Sequence, residues 1–336
     1  MVMLPTKTQV RKAGKRIAAS GSIKAADTDD ISIVDEWRRA HLKPLTAIAM
    51  WLRKPAQDAT GLSPAQRLKR RNTVLDKLIS GRSQDASTMH DLGGCRLIFS
   101  NLESLAEFRK YLEKESRARH KPLHYPNKYD YIASPKKTGY RGVHYVYAYS
   151  PSSASNKSYD GLKVEVQLRT DTQHAWATAV EIADLVFGAR TKFEDGSGTY
   201  GEFFRLSSEI LSRCHERQLG CLPEVSDRQL KADFISVESE SQVLDRLDKL
   251  REQGDLDKIK EHTILSFRND DTLEIFGYTK ASRAVEKEND LISDPDCTHV
   301  VYVRASTPAS IRNSYRNYLT NPADFVKLMK QGLDSL

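Results

Sequence analysis

Along the first half of the chain the apolar positions change period several times, and each change predicts an element. From Ile31 to about Arg53, Ile33, Val34, Trp37, His41, Leu45, Ile48 and Leu52 recur at helical spacing, with Pro44 placing a break. Ser63-Pro64 reads as an N-cap and first turn of a second helix that runs to Ile79 and stops at Gly81. Asp91 to Phe99 reads as a buried strand, followed by a helix from Leu102 to Arg117. Two strands, Tyr125 to Ala133 and Gly142 to Tyr149, flank a loop. Lys163 to Arg169 then alternates strictly, Val164, Val166 and Leu168 on one face and Glu165, Gln167 and Arg169 on the other. Helices are predicted at His174 to Phe187 and Phe203 to Leu219. Beyond a polar boundary at 223–232 the pattern predicts a helix at 238–254, strands at 262–268 and 272–278, a helix at 280–292, a strand at 298–304, and short helices at 307–319 and 322–333.

These elements predict an α+β protein: a mixed sheet flanked by helices, then a smaller C-terminal α+β module. Residues 1–30 lack clear periodicity and read as a mobile basic arm, residues 31–222 as the main domain with flanking helices, and residues 233–336 as the small module.

Composition narrows the partners. The net charge of +7 is uneven: residues 225–336 hold 16 Lys and Arg against 20 Asp and Glu, so the excess of positive charge lies in the first 224 residues. That distribution points to a polyanionic substrate, nucleotide phosphates or RNA. Nothing approaches the roughly 20 apolar residues of a membrane helix, and no apolar segment follows the basic Met1 to Ser20 as a secretory signal requires. Cys95, Cys214, Cys221 and Cys297 lack metal-ligand spacing, which suits reduced thiols in a cytoplasmic protein.

The candidate chemistry is concentrated between residues 67 and 169. Arg67, Lys69, Arg70, Arg71 and Lys77 form either a solvated basic face or a clamp for a triphosphate. The loop Asp130 to His144 gathers Lys136, Lys137, Tyr140, Arg141 and His144, rings able to stack on a base and cations able to hold phosphate; taken alone it also fits an exposed basic hairpin. Asp91 and Glu165 supply two separated acids. Together these are the parts of a phosphoryl-type transfer: a carboxylate for Mg²⁺, cations for phosphate charge, and an acid to take a proton from an attacking hydroxyl. No P-loop and no kinase signature occurs.

Over about residues 60–190 four motifs in order resemble the synthetase domain of the RelA/SpoT alarmone synthetases. These are Arg67-x-Lys69 with Thr73 and Lys77; Asp91-Leu-Gly-Gly-Cys-Arg96; Asp130 to Lys136 with Gly139-Tyr140-Arg141-Gly-Val-His144; and Glu165-Val-Gln167-Leu-Arg169-Thr170. The resemblance implies a nucleotidyltransferase-like fold and transfer of the β,γ-pyrophosphate of ATP to the 3′-hydroxyl of GDP or GTP, making ppGpp and pppGpp in stringent-response signalling. It implies that Arg67, Lys69, Lys77 and Arg96 hold ATP, that Asp91 and Glu165 are catalytic and hold Mg²⁺, and that Lys136, Tyr140, Arg141, His144, Gln167 and Arg169 receive the guanine nucleotide, Tyr140 by stacking. Two positions depart from the pattern: Tyr129 stands where many members have lysine, and Glu181-Ile182 where some have a Glu-His pair. No hydrolase half accompanies the lone His90-Asp91. A toxin-like relative that pyrophosphorylates the 3′ end of tRNA, and a non-catalytic nucleotide or RNA sensor, remain as alternatives, and a homo-oligomer stays open.

Overall fold

The computed structural model describes residues 4–61, 64–69, 71–114, 120–123, 126–186, 198–252, 258, 260–270, 272–304 and 321–336. The chain divides into two compact units, Met1–Asp130 with Gly142–Thr170, and Tyr131–Arg141 with Asp171–Leu336.

In the first unit, β1 (Ala65–Leu68), β2 (Gly93–Phe99), β3 (Lys121–Pro122), β4 (Val143–Ala148) and β5 (Lys163–Thr170) form one mixed sheet in the order β1-β2-β5-β4-β3. β2 and β5 run parallel, and every other pairing is antiparallel. The alternation read in β5 is realised: Val164, Val166 and Leu168 are fully buried, and Cys95, Leu97 and Phe99 of β2 are buried beside them. Helices α1 (Lys7–Ala19), α2 (Thr28–Ala40), α3 (Leu42–Thr60), α4 (Arg71–Ile79) and α5 (Leu102–Lys114) accompany the sheet. The break expected near Pro44 falls at His41, and Pro44 sits in the first turn of α3, where its missing N–H costs nothing.

Three expectations fail in this unit. The basic arm is a capped helix: Thr6 and Gln9 form a capping box, and Val10, Ala13 and Ile17 are fully buried among Val34, Val74, Leu75 and Leu78. Its cations lie on the outer face, where Arg16 pairs with Asp30. The helix expected from Ser63 is a strand at Ala65–Leu68, paired with Gly93 to Arg96, and only Arg71–Ile79 is helical. Ala-Gln-Arg-Leu are all good helix formers, but over four residues that preference is small and the ladder hydrogen bonds at the sheet edge override it; Ser63 itself lies outside the described residues. The strand expected at 125–133 is a short 3-10 turn, Pro126–Tyr129, then a single bridge between Asp130 and Val143.

The second unit contains α6 (Asp171–Val186), α7 (Thr199–Glu216), α8 (Asp227–Ser241), α9 (Val243–Glu252), β6 (His262–Arg268), β7 (Leu273–Tyr278), α10 (Ala281–Ile292), β8 (Cys297–Arg304) and α11 (Asn321–Ser335). Its antiparallel sheet has the order β7-β6-β8. Phe203 and Phe204 of α7, Phe234 of α8, Leu265 of β6 and Phe325 of α11 belong to one core. The expected boundary at 223–232 is therefore displaced to the β5–α6 junction, because α7 buries its apolar face against elements that follow that boundary. The helix expected at 238–254 is two helices, separated at Gln242 with φ of 51°. The helix expected at 307–319 lies outside the described residues.

Candidate active site

Strand register places the candidate residues of the first unit in rows across one face of the sheet. Arg67 of β1 pairs with Gly94, and Gly94 with Glu165 of β5. One row along, Arg96 pairs with Gln167, which pairs in turn with His144 of β4. Paired residues point to the same side of a sheet, so Arg67, Arg96, His144, Glu165 and Gln167 share one polar face. Its opposite face, with Val164, Val166 and Leu168, belongs to the core. Gly94 lies between Arg67 and Glu165 in their row: a Cβ there would only touch Glu165, 3.4 Å from its carbonyl oxygen.

Asp91 precedes β2 by two residues, at the same end of the sheet. Both Lys69 Nζ, at 2.5 Å, and Lys77 Nζ, at 2.9 Å, converge on its Oδ2. β1 delivers Lys69 and α4 delivers Lys77, so two elements that are separate in the structure supply one clamp. Burial pushes the Asp91 carboxyl up, but the two ammonium groups outweigh it and hold the group at about 2. Burial in turn lowers the Lys69 ammonium against the attraction of Asp91.

Glu165 is held from two sides. His144 Nδ1 lies 2.9 Å from its Oε1, and Gln167 Nε2 donates to Oε2 at 2.6 Å. Burial would raise this carboxyl, yet the His144 hydrogen bond and charge and the Gln167 hydrogen bond bring it below the usual glutamate value; Asp91 opposes them. The ionised carboxylate accepts only, so Nδ1 of His144 carries the proton it donates. Sequence reasoning assigned His144 to the guanine nucleotide and did not find its pairing with Glu165; its signal is the His144–Gln167 register, invisible without the sheet.

Among the described residues, no group of three or more His, Cys, Asp or Glu side chains is gathered as a metal site. Mg²⁺ typically takes one or two carboxylates and completes its shell with water and substrate phosphate. The Asp91 and Glu165 carboxylates, close enough to feel each other's charge, fit that donor set. Arg169 is buried at the far end of β5.

In the second unit, the loop Tyr131–Arg141 is a compact aromatic-cation arrangement. Lys136 Nζ lies 4.4 Å from the Tyr131 ring centroid and 5.2 Å from that of Tyr140, and the two rings meet edge to face at 5.6 Å. Tyr140 also meets Trp176 edge to face, while the Trp176 indole N–H donates to the Phe204 carbonyl, as expected of a packing residue. Arg141 differs from expectation. It is 2% exposed and paired with Glu216, so it faces the protein rather than the open side of the loop. At the departure site, the Lys128 ammonium lies over the Tyr129 ring at 5.4 Å.

Residues 66–187 match the family model described as the region found in RelA / SpoT proteins. The chain is 30% identical over 149 residues to the GTP pyrophosphokinase YjbM of Bacillus subtilis (strain 168), a match covering 43% of this chain and 63% of that relative. The match thus spans less than two thirds of the relative's length. Among solved structures, small alarmone synthetase 1 from Bacillus subtilis aligns at 19% identity with a TM-score of 0.41, over 64% of this chain and 99% of that one. The same protein bound to its product pppGpp aligns at 18% identity with a TM-score of 0.39, over 64% and 99%. A GTP pyrophosphokinase family protein from Streptococcus pneumoniae aligns at 18% identity with a TM-score of 0.41, over 60% and 96%.

Proposed function

We propose that this chain, which over residues 66–187 matches the family model described as the region found in RelA / SpoT proteins, is an ATP:GTP/GDP 3′-pyrophosphotransferase that makes pppGpp and ppGpp. The observation that carries the reading is the pairing of two differently equipped acids at one end of β2 and β5: Asp91 under two ammonium groups, and Glu165 under an imidazole and an amide. A relative that matches the chain is a GTP pyrophosphokinase, which supports the same chemistry.

Lys69 and Lys77, with Arg67 and Arg96 on the same face, bind the ATP phosphates and offset the charge that builds on them during transfer. Glu165 takes the proton of the acceptor 3′-hydroxyl. The lowered carboxyl is a weaker base than one poised near neutrality, so its contribution rests on orientation, which His144 and Gln167 supply through opposite oxygens. Mg²⁺, when bound, is held by Asp91 and Glu165 and neutralises phosphate charge. Tyr140 stacks on guanine and Lys136 meets the acceptor phosphates.

Purified protein supplied with ATP and Mg²⁺ and an equimolar mixture of GDP, GTP and tRNA tests the reading. The expected product is guanosine 3′-pyrophosphorylated nucleotide, reduced about 10²–10⁴-fold in Glu165→Gln. Transfer to tRNA instead would identify an RNA-directed enzyme. The positive excess of the first 224 residues that favoured RNA stands, while the free basic arm that went with it is the packed helix α1. Guanine-nucleotide binding with no turnover would identify a sensor.

A further inference from the structure

Arg141 stands in the middle of the loop motif, yet its guanidinium is turned into the second unit. Nη1 donates to Ser212 Oγ at 2.9 Å and to a Glu216 carboxylate oxygen, and Nε donates to Ser208 Oγ at 3.4 Å. Ser208, Ser212 and Glu216 recur every four residues, so they form one polar stripe along α7, with side chains that are all but fully buried. The stripe grips the neighbouring backbone too. Ser208 Oγ donates to the Gly139 carbonyl at 2.5 Å. Gly139 has φ of +89°, and a Cβ there would stand 2.8 Å from the Ser208 Cβ, so only glycine lets the loop approach this closely. The second oxygen of Glu216 accepts from Gln173 Nε2 at 3.0 Å.

Between these fixed points lie the residues that form the face of the loop. Gly139 N–H donates to the Lys136 carbonyl at 2.8 Å, and Lys136 N–H donates to the Tyr140 carbonyl at 3.1 Å. The turn that sets Lys136 beside Tyr140 is thus closed by Gly139 and anchored at Arg141, one residue beyond the ring. Releasing Arg141 toward a ligand would break its bonds to Ser208, Ser212 and Glu216 inside this buried stripe. Holding the loop is the role consistent with those bonds.

We propose that Arg141 is a positioning residue: through Glu216, it fixes Tyr140 and Lys136 for a guanosine nucleotide, so acceptor affinity is set from helix α7, outside the matched family region. The inference rests on the reading that this loop takes the acceptor.

The test uses the full chain with Glu216→Gln, Ser212→Ala, Arg141→Gln and, as the loop-face reference, Tyr140→Ala. Hydrogen exchange at the Lys136 and Gly139 amides reports the loop without requiring activity. KM for GDP and ATP, and kcat, report its consequence. Glu216→Gln is expected to speed exchange at both amides and raise KM for GDP on the order of tenfold, leaving KM for ATP and kcat within about twofold. Arg141→Gln should match it. Ser212→Ala, which keeps the ion pair, should give a smaller change in the same direction and serves if Glu216→Gln does not fold. Unchanged exchange and unchanged KM for GDP in Glu216→Gln would overturn the proposal. So would a rise in KM confined to Arg141→Gln, which would make Arg141 a direct ligand. If wild-type protein forms no product, the reading of the function fails, while the exchange data still decide whether the ion pair holds the loop.

Discussion

Asp91 shares one oxygen between two ammonium groups, and that arrangement has consequences for how a nucleotide enters. A divalent cation arriving alone must compete with Lys69 and Lys77 for the same carboxylate, whereas a triphosphate gives both lysines new anionic partners. Lys77→Met is therefore expected to strengthen Mg²⁺ binding without nucleotide and to weaken ATP binding. Isothermal titration checks both, and equal Mg²⁺ affinities in variant and wild type would contradict the competition. The Asp91 contribution to stability is present above its ordinary value of 3.8 and is lost as pH falls toward about 2.

Glu165 has a similar pH signature. Its folded-state value is depressed, so its ionised form persists to lower pH than an ordinary glutamate's, and the acid limb of kcat/KM belongs below 4.5. His144→Leu removes the strongest lowering contact and leaves burial to act, so that limb should move to higher pH; a limb that stays in place would refute the dyad. Residue types and order singled out Asp91, Glu165 and Tyr140 as candidates in the sequence. The partners of Asp91 were named as ATP ligands but not as its neighbours. The ion pair of Arg141 was not legible because its partner, Glu216, lies 75 residues away on an element the motif does not include.

At the scale of elements, the strands that carry the acids were the easiest to read. β5 alternates in sequence from Lys163 to Arg169, and β2 is a short apolar stretch interrupted by Arg96 whose burial also alternates. Helix α1 was hidden because its apolar stripe is only Val10, Ala13, Gly14 and Ile17, set among lysines and arginines that dominate the composition. The stripe nonetheless has the i, i+3, i+4, i+7 spacing of a core-facing helix. Val10→Asp buries a charge with no partner in this cluster and should lower the thermal midpoint clearly in a melting experiment. A free arm would tolerate the change with no shift. β1 was misread for a different reason. Four residues carry too little pattern to outvote a nearby Ser-Pro, and the strand exists because Gly93 to Arg96 offer it an edge.

For the whole molecule, the sequence suggested two modules divided near residue 223, from a proline and a change in charge. Burial sets the division elsewhere. The phenylalanines of α7 share a core with Phe325 of α11, which lies 6.3 Å from Phe203 and 6.1 Å from Phe204 between ring centroids. Phe325 is fully buried, so Phe325→Ala should cost about 3–5 kcal/mol in chemical denaturation. A loss near zero would mean that α11 is dispensable to this core. No helix among the described residues is long and apolar enough to cross a membrane. Composition cannot reveal such a core, because it joins residues of elements far apart in the chain, Phe203 and Phe204 with Phe325.

The central claim is transfer of a pyrophosphoryl group, with Glu165 as the base. ATP labelled at its β-phosphate, incubated with the protein, Mg²⁺ and GDP, tests it most directly. The account predicts that the label moves to a 3′-modified guanosine nucleotide, that one AMP appears for each product formed, and that Glu165→Gln loses both signals together. Release of ADP with the β-label left on it, or label transfer undiminished in Glu165→Gln, would contradict the account.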